Sequence, residues 1–203
     1  MTDTPDFSAL NRRRFDAIVI GASAGGVTAL LELLPALTAQ MTLLIIAILH
    51  LPDGRESRLA DIFNYRLQIP VREAADKEPI APGTLYFAGP GYHLSIEADR
   101  SFSLSCEAPV HYSRPSIDVL MTSAADVYGP RLAGILLTGA NQDGAEGLAR
   151  ISRRGGLTVV QNPADAQVAT MPEAALKRLQ PDLVLPLEDI RRLLIKMEKN
   201  HAH

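Results

Sequence analysis

Ser23, His50 and Asp143 are the residues in this chain whose types, taken together, suit covalent chemistry on a carbonyl. Ser23 sits in the stretch Asp16-Ala-Ile-Val-Ile-Gly-Ala-Ser-Ala-Gly-Gly26, where Gly21 and Gly25 give Gly-x-Ser-x-Gly spacing. A serine hydroxyl is a weak nucleophile at neutral pH and needs an adjacent base. A neutral imidazole can be that base, and a carboxylate on its other ring nitrogen fixes the tautomer and stabilises the imidazolium. Each residue also has a plainer role. Ser23 suits the helix N-terminus of an anion-binding glycine loop. His50 suits the cap of a buried strand. Asp143 suits the N-cap of a helix opened by Asp143-Gly-Ala-Glu146. Residue type alone leaves both sets of roles open. The other histidines fit the base role poorly: His93 lies in an alternating β segment, His111 in a loop, and His201 and His203 at the chain end.

The elements around these residues decide whether they can meet. Ala17 to Ile20 is an apolar run that predicts a strand, and Gly26 to Ala39 follows with helical spacing at Val27, Leu30, Leu31, Leu34 and Leu37. A buried strand is expected over Leu43 to Leu49, a helix over Ser57 to Leu67, and a short strand over Val71 to Ala74. Thr84 to Ala88, Tyr92 to Ile96 and Ser101 to Ser105 alternate apolar and polar residues between turn signals, which predicts a small antiparallel β meander near residues 84–105. Alternation of helix and strand then resumes. A helix is marked by Ile117, Leu120, Met121, Ala124 and Val127, then a strand over Leu132 to Leu137 and a helix over Gly144 to Arg153. A strand over Leu157 to Gln161, a helix over Pro172 to Leu179, a strand over Leu183 to Leu185 and an acid-started C-terminal helix complete the series. Repeated βα units imply an α/β fold with a doubly wound, mostly parallel sheet flanked by helices. Ligands of such sheets bind beyond the carboxyl ends of the strands. Ser23, His50 and the Thr138 to Gly144 loop each lie just past a strand end, so the three side chains are expected at one edge.

Composition sets the outer bounds. The chain has 203 residues, 47% hydrophobic and 21% charged, which suits one globular domain with a substantial core. Residues 1–14 read as a flexible tail and 15–203 as a single catalytic domain. A formal net charge of −3 gives no electrostatic case for nucleic acid. Cys106 is the single cysteine, which excludes an internal disulfide and fits a reducing compartment. The longest apolar run, Leu43 to Leu49, is far shorter than the ~20 residues of a spanning helix. The N-terminus lacks a secretory pattern, so the expected location is cytoplasmic, with no membrane insertion.

Chain order narrows the chemistry. The triad would run Ser, His, Asp, whereas α/β-hydrolases run Ser, Asp or Glu, then His. Beyond that, Ile20-Gly-Ala-Ser-Ala-Gly-Gly26, His50-Leu-Pro52, Ala81-Pro-Gly83, Arg114-Pro-Ser-Ile-Asp-Val119 and Leu137-Thr-Gly-Ala-Asn-Gln-Asp-Gly-Ala145 occur in this order, followed by Gln161-Asn162 and Met171-Pro-Glu-Ala174. This ordered series resembles the catalytic domain of CheB-type protein-glutamate methylesterases, over nearly the whole chain from Phe15.

The resemblance implies a serine hydrolase that removes methyl groups from glutamate γ-methyl esters on the cytoplasmic helices of chemoreceptors, with deamidation of receptor glutamines as a further activity. It implies Ser23 as nucleophile, His50 as general base and Asp143 as its orienting carboxylate, with no cofactor and no metal. The backbone N–H groups of Ala24 and Ala140 are its candidate oxyanion donors, and Arg114 a candidate contact to acidic receptor helices. Ser116, in the same motif, reads better as a helix cap. The chain departs from the family in three ways. No receiver domain precedes the first strand, so a stand-alone domain is expected, either constitutively open or controlled by a separate regulatory protein. Gly139-Ala-Asn141 stands where Gly-Met-Gly is usual, and Leu49 where Gln often precedes the histidine. The altered loop motivates a second reading, a non-catalytic binding module that keeps the fold. A nucleotide-binding protein is a third reading, weakened by the missing Gly-x-Gly-x-x-Gly spacing and Walker lysine.

Overall fold

The protein is described by a computed structural model over residues 7–50 and 57–201. Residues 1–6 of the expected tail, Leu51 and Pro52 of the histidine motif, and His203 lie outside the described residues. The described residues form nine strands and six α-helices, which alternate except over the run of strands from Val71 to Ser105. They are β1 (Ala17–Ala22), α1 (Gly26–Leu33), β2 (Leu44–Leu49), α2 (Leu59–Asn64), β3 (Val71–Glu73), β4 (Leu85–Phe87), β5 (His93–Ile96) and β6 (Phe102–Ser105). Then come α3 (Ile117–Tyr128), β7 (Leu132–Leu136), α4 (Ala145–Arg153), β8 (Leu157–Gln161), α5 (Thr170–Arg178), β9 (Leu183–Leu185) and α6 (Leu187–His201).

Seven strands form one parallel sheet in the order β3-β4-β2-β1-β7-β8-β9. Side chains of β1 and β2 alternate between its faces, as the pleat requires. Ile18, Ile20, Ile45 and Ala47 pack with Leu30, Leu33, Phe63 and Leu193, so α1, α2 and α6 cover one face. Ala17, Val19, Ile46 and Ile48 pack with Leu120, Leu148 and Ala175, so α3, α4 and α5 cover the other. Burial on both faces explains why these strands read as unbroken apolar runs. The doubly wound expectation holds.

Local departures have physical causes. The first helix stops at Leu33 and tightens into a 3-10 turn over Leu34–Ala36, where Pro35 has no N–H to continue the helical ladder. The second helix is also shorter than expected, and Asn64 at its end spends both amide atoms on the Val71 backbone. The expected meander divides in two. Leu85, Tyr86 and Phe87 are buried on both faces and pair in parallel with β2 and β3, so β4 belongs to the main sheet. Only β5 and β6 form an antiparallel hairpin, whose Leu94, Ile96 and Phe102 lie in the α3 layer. The expected tail needs correction as well. Residues 8–12 form a 3-10 turn, and Phe7 and Leu10 are buried in the α1–α6 layer, so the packed unit begins before Phe15.

Strand order makes β1 the switch point: the chain leaves it outward through β2 and returns on its other side at β7. A crevice opens at the carboxyl ends of such neighbouring strands. Among the described residues, no helix is long and apolar enough to cross a membrane.

Candidate active site

The described residues that follow β1, β2 and β7 meet at this crevice. The β1 loop is the glycine turn. Gly25 has φ +81°, a left-handed conformation suited to glycine, and a Cβ there would lie 2.7 Å from the Gln167 amide oxygen. Gly26 N–H donates to the Ser23 carbonyl at 2.8 Å, closing the turn. Ser23 N–H donates to Thr138 O at 3.0 Å, which ties the turn to the end of β7. Thr138 Oγ1 donates back to Ala24 O at 2.8 Å and accepts from Val168 N–H at 2.9 Å. Gln161 Oε1 accepts from Thr138 N–H at 2.9 Å. Ser23 is therefore held, half-buried, by a clasp of side-chain and backbone bonds rather than by the glycines alone.

His50 follows β2. Its N–H donates to Ala22 O at 3.2 Å, extending the β1–β2 ladder by one residue. Ser23 and His50 each stand one position past the register pair Ala22↔Leu49. Adjacent strands lie about 4.8 Å apart, so the two side chains start from neighbouring positions. His50 Nε2 lies 2.9 Å from Asp143 Oδ2. A carboxylate only accepts, so the ring proton sits on Nε2 and Nδ1 carries the lone pair. That lone pair faces Ser113 Oγ at 3.4 Å. Among the described residues, Ser23 Oγ makes no hydrogen bond to the ring.

Asp143 is fully buried in the β7–α4 loop. It does not cap α4, whose N-cap is Gly144 at φ +95°. It binds the start of α3 instead. Oδ1 accepts from Ser116 Oγ at 2.8 Å and from Asp118 N–H at 3.0 Å, and Oδ2 accepts from Ile117 N–H at 2.7 Å as well as from His50. Burial pushes the carboxyl up; hydrogen bonds from His50, the Asp118 and Ile117 amides and Ser116 outweigh burial and hold it below the usual carboxylate range. The helix N-terminus adds a favourable dipole. Asp143 is thus kept as an anion.

The Ser116 cap reading holds, and the residue does more. Its Oγ accepts from Val119 N–H at 3.5 Å while donating to Asp143. Its own N–H donates to His93 Nδ1 at 3.1 Å, which leaves the proton of that buried ring on Nε2, 3.1 Å from Ala108 O. His93 is a supporting residue that sequence pattern missed, since its partner is 23 positions away. Arg114 Nη1 donates to the Cys106 and Glu107 carbonyls at 3.0 Å each, which braces the loop before α3. The Ala24 and Ala140 N–H groups have no hydrogen-bond partner among the described residues, and both residues are exposed.

The family model described as CheB methylesterase matches residues 18–194. A relative from Leptospira interrogans is 44% identical over 187 residues, 92% of this chain and 97% of that protein. The protein-glutamate methylesterase/protein-glutamine glutaminase of Caldanaerobacter subterraneus subsp. tengcongensis is 36% identical over 191 residues, 91% of this chain and 52% of that protein. The crystal structure of the Thermotoga maritima CheB methylesterase catalytic domain superposes with a TM-score of 0.85 at 28% identity, covering 90% of this chain and 98% of that one.

Proposed function

This chain belongs to the CheB methylesterase family, and from that premise we propose that it hydrolyses glutamate γ-methyl esters on chemoreceptor cytoplasmic helices through a Ser23–His50–Asp143 triad. The observation that carries the reading is the 2.9 Å bond from His50 Nε2 to Asp143. It commits one ring nitrogen to a buried anion and leaves the Nδ1 lone pair to serve as the base for Ser23.

In the proposed reaction Ser23 Oγ attacks the ester carbonyl while His50 Nδ1 takes its proton. The tetrahedral oxyanion needs donors already in place; the N–H groups of Ala24 and Ala140, without a partner among the described residues, suit that role. Collapse breaks the carbonyl–methoxy bond, and methoxide leaves as methanol with the proton from Nδ1. Water, deprotonated by His50, then cleaves the acyl-enzyme to give the glutamate carboxylate and free serine. A receptor glutamine would follow the same route with ammonia as leaving group. A fluorophosphonate reagent tests the nucleophile: mass spectrometry is expected to place one adduct on the peptide carrying Ser23. An adduct on another serine, or none, would contradict the reading.

A further inference from the structure

The ring nitrogen facing away from Asp143 has a partner of its own. Asp143 N–H donates to Asn141 Oδ1 at 3.1 Å, and Asn141 Nδ2 donates to Ser113 Oγ at 3.2 Å. Ser113 Oγ lies 3.4 Å from His50 Nδ1, and His50 Nε2 returns to Asp143 Oδ2 at 2.9 Å. These four contacts close a ring of hydrogen bonds. The roles are forced around it. A backbone N–H can only donate, so the Asn141 oxygen must face Asp143 and its NH₂ must face Ser113. A carboxylate can only accept, so His50 carries its proton on Nε2 and Nδ1 is bare. Asn141 fills one lone pair of Ser113 Oγ, and the hydroxyl hydrogen is left to point at Nδ1.

We propose that Ser113, held by Asn141, is a positioning residue for the catalytic base: its hydroxyl donates to the resting His50 ring at Nδ1 and is exchanged for Ser23 when the ester binds. This rests on the reading of His50 as the base. Ser113 is well placed to hold a position. It is pinned by reciprocal backbone bonds with Val110 of 2.9 and 3.1 Å, across a turn in which His111 and Tyr112 have positive φ. Arg114, the next residue, anchors the same loop to the Cys106 and Glu107 carbonyls. The 3.4 Å separation is long for a hydroxyl donor, as suits a bond that must be given up each turnover. Asn141 is the residue that stands in place of the second glycine of Gly-Met-Gly, so this departure from the family pattern supplies the ring's third member.

The charged and titratable groups around the ring, among the described residues, are few. Asp143 faces His50 from the β7–α4 loop, and Asp118 lies beside Asp143 on the first turn of α3. His111 pairs with Asp118 at 3.4 Å, and Arg114 is turned to loop carbonyls. A hydroxyl donor on the Nδ1 lone pair distinguishes that nitrogen from a bare one. Ser113→Ala is therefore expected to move the unprotonated Nδ1 15N resonance of His50 toward that of a free lone pair, with Nε2 little changed. NMR of the 15N-labelled full chain at alkaline pH reads this directly, with His50→Gln assigning the resonance. Ser113→Thr keeps the hydroxyl and is expected to return the resonance to the wild-type position; Asn141→Ala is expected to move it in the same direction by less than Ser113→Ala. An unchanged Nδ1 resonance in folded Ser113→Ala overturns the inference, as does a Ser113→Thr protein that resonates like the alanine variant. Wild-type methanol release is measured in parallel, so a failed esterase reading is recognised separately from a failed assignment of Ser113.

Discussion

Asp143 and Asp118 lie side by side at the start of α3, both buried, yet their acidities move in opposite directions. Burial is the largest influence on each and pushes each carboxyl up. Asp143 meets four donors, including His50, and ends below the usual carboxylate range. Asp118 accepts from Gly147 N–H at 2.6 Å and has His111 at 3.4 Å, while the neighbouring Asp143 charge works against its ionisation; it is pushed up to about 6. Donors aimed at the ionised oxygens, more than depth, therefore decide which of two adjacent carboxylates stays charged. Environments that split a carboxylate pair assign different roles to its members. Here Asp143 is the fixed anion that orients His50, and Asp118 titrates at the edge of the same helix turn.

Breaking the stronger side of the comparison should have the largest effect. Asp143→Asn keeps the volume but offers His50 Nε2 an amide, which favours the wrong tautomer. Ester hydrolysis is expected to fall about a thousand- to ten-thousand-fold in kcat, with KM little changed. Removing the weaker side should instead change stability. The folded-state value of Asp118 lies above its unfolded one, so its contribution is fully present below about pH 4 and lost as pH rises through about 6. In urea unfolding, Asp118→Asn is expected to gain on wild type between pH 4 and 7, by up to about 3 kcal/mol. A constant difference across that range would contradict the assigned titration. The smallest of these effects tests one donor. Ser116→Ala should cost about 1.5 kcal/mol of stability at pH 7 and lower kcat about tenfold, because one charge-assisted bond to Asp143 and the cap of α3 go together. For Asp143 the sign is the reverse of Asp118: its contribution is present above about pH 4 and lost as pH falls through its lowered value.

What could be read from sequence follows from how local each signal is. β1 and β2 announced themselves because burial on both faces leaves uninterrupted apolar runs, and the strand-end rule then brought Ser23, His50 and Asp143 to one edge. Pairing partners are not local. Nothing in Leu85 to Phe87 says that it runs parallel beside β2, so β4 was expected in a meander that the sheet divides. The capping of α3 by Asp143 was hidden for the same reason: the local pattern pointed to α4, and the true donors lie 25 to 27 residues earlier. His93 carries no motif, and the motifs that contain Thr138 and Gln161 do not announce the backbone groups that only the folded chain brings near them. Arg114 also braces its own loop through two carbonyls, a role that its charge alone does not announce.

We propose a serine esterase centred on Ser23 at this edge, and methanol release from a methylated chemoreceptor fragment is its decisive assay. Wild-type protein is expected to release methanol. Ser23→Ala, with an unchanged unfolding midpoint, is expected to release none above the uncatalysed background. Methanol release by Ser23→Ala at the wild-type rate, or none from wild type, would contradict the account.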